Sequence, residues 1–278
     1  MPNQHPIIGI VTDFGEKGTH YIASMKGVIL SLSEDVTLID ISHDITPFSL
    51  LETSYLIFTM YHYYPSGSVF LIVVDPGVGS QRKIVALQTH SSHYFVGPDN
   101  GIFTHLLSSD KIEKVVSVEN NAFFRENISQ TFHGRDVMAP VAAHLAMGTE
   151  LEKFGPELSP HELKTLSIRP QFYESKGKIE GIIQYIDSFG TATTNIAIDD
   201  YQQIKNTSIR LKPNSKITLI FDGMEYRAEF CTHFSEVEEG NYLFLKGSYG
   251  YLEIAKNQGN ASKKIGLNLG DQITLEFS

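Results

Sequence analysis

Cysteine is nearly absent: Cys231 stands alone in 278 residues. A single thiol excludes an intrachain disulfide and a cysteine-built zinc site, and it fits a reducing compartment, so a cytoplasmic location is expected. The 11 histidines are not spaced as H-x-x-x-H or H-x-H, and no metal is expected. No run of Lys and Arg builds a basic face, and the formal charge is -10, which argues against nucleic acid as a partner. No apolar run approaches the roughly 20 residues that span a bilayer, and Met1–Pro6 lacks the basic-then-apolar order of a signal peptide, so no membrane association is expected. Also missing are a G-x-x-x-x-G-K-[ST] loop and a G-x-S-x-G elbow, and Gly77-Val78-Gly79 lacks the third glycine and following helix of a dinucleotide fingerprint.

What is present is an ordinary globular balance, 41% hydrophobic and 19% charged, with length for one large domain or two. Apolar runs at Ile7–Val11, Val36–Ile41 and Val69–Val74 alternate with helical patterns at Tyr21–Leu32 and Leu50–Tyr61. This is the signature of βαβ units and a mainly parallel sheet flanked by helices. Shorter strands at Lys83–Thr89, His93–Val96 and Val115–Val118 add a mixed character. Helices are expected over Gly101–Leu107 and Arg135–Met147. Prolines then punctuate a polar stretch. Beyond it, period-2 runs at Lys178–Ile186, Ser208–Leu211, Lys216–Phe221, Glu225–Phe230, Tyr242–Leu245, Tyr251–Ala255 and Gln272–Phe277 predict a small antiparallel β-barrel or sandwich, with an Asp222-Gly223 hairpin. The expected organisation is α/β: an N-terminal domain over 1–156, a linker over 157–172 and a β-domain over 173–278.

Polar groups gather at loop positions of the first domain. Asp13 and Asp75 end strands, Arg82 follows a glycine-rich turn, and His133 precedes a helix. Each has a plain structural reading, as helix cap, turn residue or solvated charge. If Asp75, Arg82 and His133 converge, they can orient a water, with Asp75 or His133 taking its proton; Arg82 cannot be the base because it stays protonated. Asp13 can accept the hydroxyls of a ribose. In the second domain the turns around Asp187-Ser188-Phe189-Gly190-Thr191 and Ser248-Tyr249-Gly250 are either ordinary β-turns or the wall of a purine pocket. On the second reading Phe189 and Tyr249 supply aromatic surface, while Ser248, Glu253 and Asp187 supply hydrogen bonds and a carboxylate for an ammonium group.

Seven segments in register resemble the S-adenosylmethionine hydroxide adenosyltransferase family, which is related to the enzymes that make fluorinated and chlorinated adenosine. They are Thr12-Asp13-Phe14-Gly15, Ile45-Thr46-Pro47-Phe48, Asp75-Pro76-Gly77-Val78-Gly79 with Arg82, Gly97-Pro98-Asp99-Asn100-Gly101, Thr131-Phe132-His133-Gly134-Arg135-Asp136, Asp187-Ser188-Phe189-Gly190, and Ser248 through Ala255. The resemblance implies an α/β domain followed by a β-barrel, assembled as a homotrimer with sites at subunit interfaces. It implies hydrolysis of S-adenosyl-L-methionine to adenosine and L-methionine by attack of water or hydroxide on the ribose 5′ carbon, with no cofactor, the sulfonium compound being the substrate. Asp75, Arg82 and His133 fall on the water-handling positions, Asp13 on the ribose contact, Phe48 on an aromatic wall, and Asp187 and Ser248 on the methionine end. Thr191 stands where many relatives carry an adenine-contacting Asn. Halide-forming relatives lack the Asp and His of the trio, so their presence favours water. An adenosyl-halide synthase and a non-catalytic adenosine- or S-adenosylmethionine-binding protein are the alternatives.

Overall fold

The computed structural model describes residues 5–109 and 111–277; residues 1–4, within the stretch where no signal peptide is expected, lie outside it. The chain divides into two compact units between Leu166 and Ser167. In the first unit it runs β1 (Ile7–Thr12), α1 (Thr19–Leu32), β2 (Thr37–Ser42), α2 (Leu50–Met60), β3 (Val69–Val73), β4 (Ile84–Thr89), β5 (Tyr94–Pro98), α3 (Thr104–Ser108), β6 (Ile112–Ser117), α4 (Ala139–Ala146) and β7 (Glu157–Leu158). The strands form one mixed sheet in the order β2-β1-β3-β5-β4-β6-β7. The β2-β1-β3-β5 half is parallel, and β4, β6 and β7 pair antiparallel.

Both faces of the sheet are covered, which explains why β3 reads as an unbroken apolar run rather than an alternating one. Val69, Leu71 and Val73 face one core with Met25 and Ile29 of α1 and Val141 of α4. Phe70 and Ile72 face the other, with Ile57 of α2 and Leu106 of α3. Each such side chain contributes about 1.5–3 kcal/mol on burial. α2 starts where the side chain of Ser49 accepts the backbone N–H of Glu52, an ordinary N-cap.

The proline-punctuated stretch is divided between the units. Lys164 donates its backbone N–H to Asp99 and Leu166 donates to Thr104, so the stretch is held to the first unit up to the division. Farther on, β8 (Gln171–Tyr173) belongs to the second unit, followed by β9 (Lys178–Ile186), β10 (Ala192–Ala197), β11 (Lys216–Phe221), β12 (Met224–Cys231), β13 (Tyr242–Lys246), β14 (Tyr251–Lys256), α5 (Ala261–Ile265) and β15 (Gln272–Phe277). Seven of these strands close a barrel, β10-β14-β13-β12-β11-β15-β9 and back to β10, while β8 flanks the start of β9. Asp222 and Gly223 take left-handed conformations at the β11–β12 hairpin, as a type I′ turn requires.

Three features differ from the periodicity reading. β12 and β13 pair parallel, because residues 232–241 carry the chain across instead of turning it back. Ser208–Leu211 is not a barrel strand; it closes a small hairpin in which Ile204 donates to Ile209 and Leu211 to Gln202. β10 and α5 carry no period-2 or helical signal. β10 is buried along most of its length although it is rich in Thr and Asn, and its polar groups are satisfied within the barrel: Thr194 donates to Leu252 O and Asn195 accepts from Ile182 N.

Candidate active site

The order β2-β1-β3 makes a switch point: from β1 the chain crosses to one side for β2 and returns to the other side for β3. Ligands of open α/β sheets bind in the crevice beyond the carboxyl ends of strands at such a point. Thr12 pairs with Val73, so Asp13 and Asp75 stand at the same edge of neighbouring strands.

Asp75 and Arg82 form a bidentate ion pair. Arg82 Nε donates to both carboxylate oxygens at 2.9 and 3.0 Å, and Nη2 donates to Oδ2 at 2.5 Å. Each side chain is only 6% exposed. The turn between them is compact because Gly79 has φ +78° and comes so close to the chain that a Cβ there would lie 2.7 Å from the Gln130 carbonyl oxygen, a position that suits only glycine. Arg82 Nη2 also reaches His133 Nδ1 at 3.1 Å. A guanidinium only donates, so Nδ1 is the acceptor and the proton of the neutral ring sits on Nε2. Burial and the Arg82 charge hold His133 below the ordinary histidine range, against the opposing pull of Asp75 and Asp136.

His133 owes its place to the glycine after it. A Cβ on Gly134 would lie 2.7 Å from Val73 Cγ1, so the missing side chain lets this turn rest directly on β3. Gly134–Met138 forms a π-helical turn rather than the start of a regular α-helix, a feature frequent at functional sites. Pro140 has no N–H to give the Asp136 carbonyl, and Arg125 donates its own backbone N–H there instead at 2.9 Å. The Asp136 carboxylate is fully buried. It accepts from Arg125 Nη1, from Arg135 Nε and Nη2, and from Ser129 N, which holds it below the usual carboxylate range despite its burial. By sequence Asp136 is a helix-start charge; its role as the hub of the 125–136 loop is hidden there, because Arg125 and Ser129 carry no recognisable spacing.

Asp13 and Phe48 are also brought together: Phe48 donates its backbone N–H to Asp13 Oδ2 at 2.9 Å. Phe48 has a left-handed backbone, φ +67°, and is 68% exposed, as an aromatic wall of an open site would be.

In the second unit, Asp187 Oδ1 accepts the N–H groups of Phe189 and Thr191 at 3.0 and 2.8 Å. This folds the 187–191 loop around its own carboxylate and leaves Phe189 78% exposed. Ser248 and Tyr249 occupy the turn between β13 and β14 and are exposed. Because β10 and β14 are antiparallel, these two loops lie at opposite ends of that strand pair. Glu253 stands between them, opposite Thr193, with its carboxylate against Gly247. Burial, reinforced by the Asp187 charge and opposed by the Thr193 hydroxyl, pushes Glu253 up to about 7. Ala255 is fully buried against Cys231, Leu243 and Leu245, so its methyl group faces core rather than solvent. Among the described residues no three His, Cys, Asp or Glu side chains gather as a metal ion requires, and no helix is long and apolar enough to cross a membrane.

The chain matches the SAM hydroxide adenosyltransferase N-terminal domain over residues 8–155 and the C-terminal domain of the same name over residues 181–274. It is 34% identical over 277 residues to the (R)-S-adenosyl-L-methionine hydrolase of Methanocaldococcus jannaschii, covering 98% of this chain and 96% of that one. The (R)-S-adenosyl-L-methionine hydrolase of Thermus thermophilus is 32% identical over 272 residues, 95% of this chain and 97% of the other. Among solved structures, an uncharacterized conserved protein from Thermotoga maritima superposes with a TM-score of 0.87 at 35% identity, covering 97% of this chain and 99% of that chain.

Proposed function

Since this chain belongs to the SAM hydroxide adenosyltransferase family, we propose that it is an enzyme that hydrolyses S-adenosyl-L-methionine to adenosine and L-methionine. The observation that carries this reading is the Asp75–Arg82–His133 cluster at the switch point of the sheet. A sulfonium is a good leaving group, so its departure needs no acid. The enzyme must instead hold a water in line with the C5′–S bond, where positioning contributes roughly 7–11 kcal/mol in favourable cases.

In the chemistry assigned here, water oxygen attacks C5′, the C–S electron pair returns to sulfur as the methionine thioether, and one proton leaves the water. Because His133 Nδ1 is engaged by Arg82, this tautomer offers the water an Nε2–H donor and no acceptor. The proton therefore passes to Asp75, whose oxygens keep lone pairs beyond those taken by Arg82. Water has a pKa near 15.7, so the transfer is concerted with attack rather than prior to it. Asp13 receives the ribose hydroxyls and Phe48 walls the sugar. Asp187, Ser248 and Glu253 take the methionine end, and Phe189, Tyr249, Thr191 and the backbone at Ala255 take the base. In this reading the copies form a homotrimer in the cytoplasm, each site completed across a subunit interface, and no cofactor or metal takes part.

Liquid chromatography of the purified protein with S-adenosyl-L-methionine, with and without chloride, tests the reading. Adenosine and methionine in equal amounts under both conditions are expected. Appearance of 5′-chloroadenosine would establish the halide-using reaction instead, and tight adenosine binding without any product would mark a non-catalytic binder.

A further inference from the structure

Just behind Asp13 lies a polar relay that the reaction does not use. Asp40 Oδ1 accepts from His43 Nε2 at 2.9 Å, and Lys26 Nζ donates to the other oxygen, Oδ2, at 2.6 Å. A carboxylate of this kind only accepts, so the neutral His43 ring carries its proton on Nε2 and presents Nδ1 as an acceptor. The Thr12 hydroxyl lies 2.9 Å from that nitrogen and is its donor, while Thr12 Oγ1 in turn accepts the Phe14 N–H at 3.3 Å. The His43 carbonyl takes the Gly15 N–H at 2.8 Å. Residues 12–15 are thus held at Thr12, Phe14 and Gly15, and Asp13 is the residue between these anchors.

The backbone alone does not provide this hold. The β1–β2 ladder slips between Ile10 and Val11, so at the end of β1 the regular pairing is already irregular, and the side chains of Thr12 and His43 continue the connection. Thr12 is fully buried and His43 is 17% exposed, whereas Asp40 is 47% exposed, so the Thr12–His43 bond is shielded from competing water and the Asp40 end of the relay meets solvent. Asp13 itself turns its Oδ2 to Phe48 N, and its Oδ1 accepts no hydrogen bond among the described residues.

We propose that His43 is a positioning residue: with Asp40 and Thr12 it fixes the Asp13 carboxylate in the pose that receives the two ribose hydroxyls, and so sets the selectivity of the site for ribonucleosides. The proposal rests on the reading of Asp13 as the ribose contact. It assigns His43 no contact with the reacting atoms.

The test is calorimetric binding of adenosine and of 2′,3′-dideoxyadenosine to the full-length protein and to His43→Phe, Thr12→Val, Thr12→Ser and Asp13→Asn. His43→Phe and Thr12→Val should each weaken adenosine by about tenfold, the scale of one hydrogen bond to a charged group. Their affinity for the dideoxy compound should stay within about twofold. Thr12→Ser keeps the hydroxyl and should retain the preference for adenosine. Each variant carries its own control in the ratio of the two ligands, since a misfolded fraction lowers the binding stoichiometry for both alike. Equal weakening of both ligands in His43→Phe, or no weakening of either, overturns the proposal. If Asp13→Asn abolishes the preference and His43→Phe keeps it, positioning fails while the ribose contact stands. If Asp13→Asn keeps the preference, the ribose assignment is wrong and the proposal falls with it.

Discussion

Arg82 Nη2 donates to His133 Nδ1 at 3.1 Å while the same guanidinium grips both oxygens of Asp75. One planar cation therefore fixes a carboxylate and an imidazole at once and dictates the tautomer of the second. An ammonium could neutralise Asp75 but has no fork with which to set the angle between the two groups.

Arg82→Lys is accordingly expected to lower kcat by about a hundredfold, the scale of a small misplacement of reacting groups. Far-ultraviolet circular dichroism should be unchanged. Product formation followed by chromatography under saturating substrate measures the effect.

Acid should act through His133. Its folded value lies below the ordinary 6.5, so between the two the unfolded chain binds more protons and stability rises with pH. The contribution is complete above about pH 6.5 and declines as the pH falls towards the folded value. His144 is shifted in the same direction by burial, so His133→Asn should flatten the loss of Tm on acidification without abolishing it. In the wild type kcat/KM should fall over the same window, because a proton on Nδ1 displaces the Arg82 donor.

Glu253 works with the opposite sign. Raised to about 7, it holds a proton in the folded protein that the unfolded chain has already lost, so it favours folding less as the pH rises from about 4.5 towards 7. Ionisation strengthens its hold on an ammonium group, and KM should therefore fall as the pH is raised through about 7. Glu253→Gln should give a pH-independent KM over that range, raised by about tenfold, with kcat little changed.

Gly134→Ala should separate stability from chemistry. The added carbon meets Val73 Cγ1 at 2.7 Å and Met25 Sδ at 3.3 Å, an overpacking that costs about 1–3 kcal/mol. It also lifts the turn that carries His133 off β3. Thermal unfolding should show the modest loss, and turnover at a temperature well below Tm should show a larger one.

Much of this architecture is legible in the amino-acid sequence, because strand-end carboxylates and alternating βα patterns are local signals. Asp13, Asp75 and the apolar run of β3 lie in segments whose periodicity and punctuation are unambiguous. The barrel strands with one wet face are equally plain. Contacts between polar residues far apart in the chain are not: the Thr12–His43 relay, the Arg125–Asp136 hub and the Thr-rich β10. Their side chains look like solvated loop residues until the fold buries them. The π-helical turn is hidden for a related reason, since its apolar spacing over Val137, Met138 and Val141 also suits an α-helix.

Pro140 gives the 125–136 loop a fixed terminus. Because the Asp136 carbonyl it leaves open is where Arg125 attaches, the four-residue interval from Asp136 to Pro140 acts as a gauge, and chain length on either side of it has unequal value. Residues inserted between Arg125 and Ser129, upstream of the hub's last anchor, should bulge outward and leave His133 in register. A single residue inserted between Asp136 and Pro140 would instead move the open carbonyl to another position, rotate the turn and carry the imidazole away from Arg82. The loop is free to vary in length only on the side of the hub away from the proline.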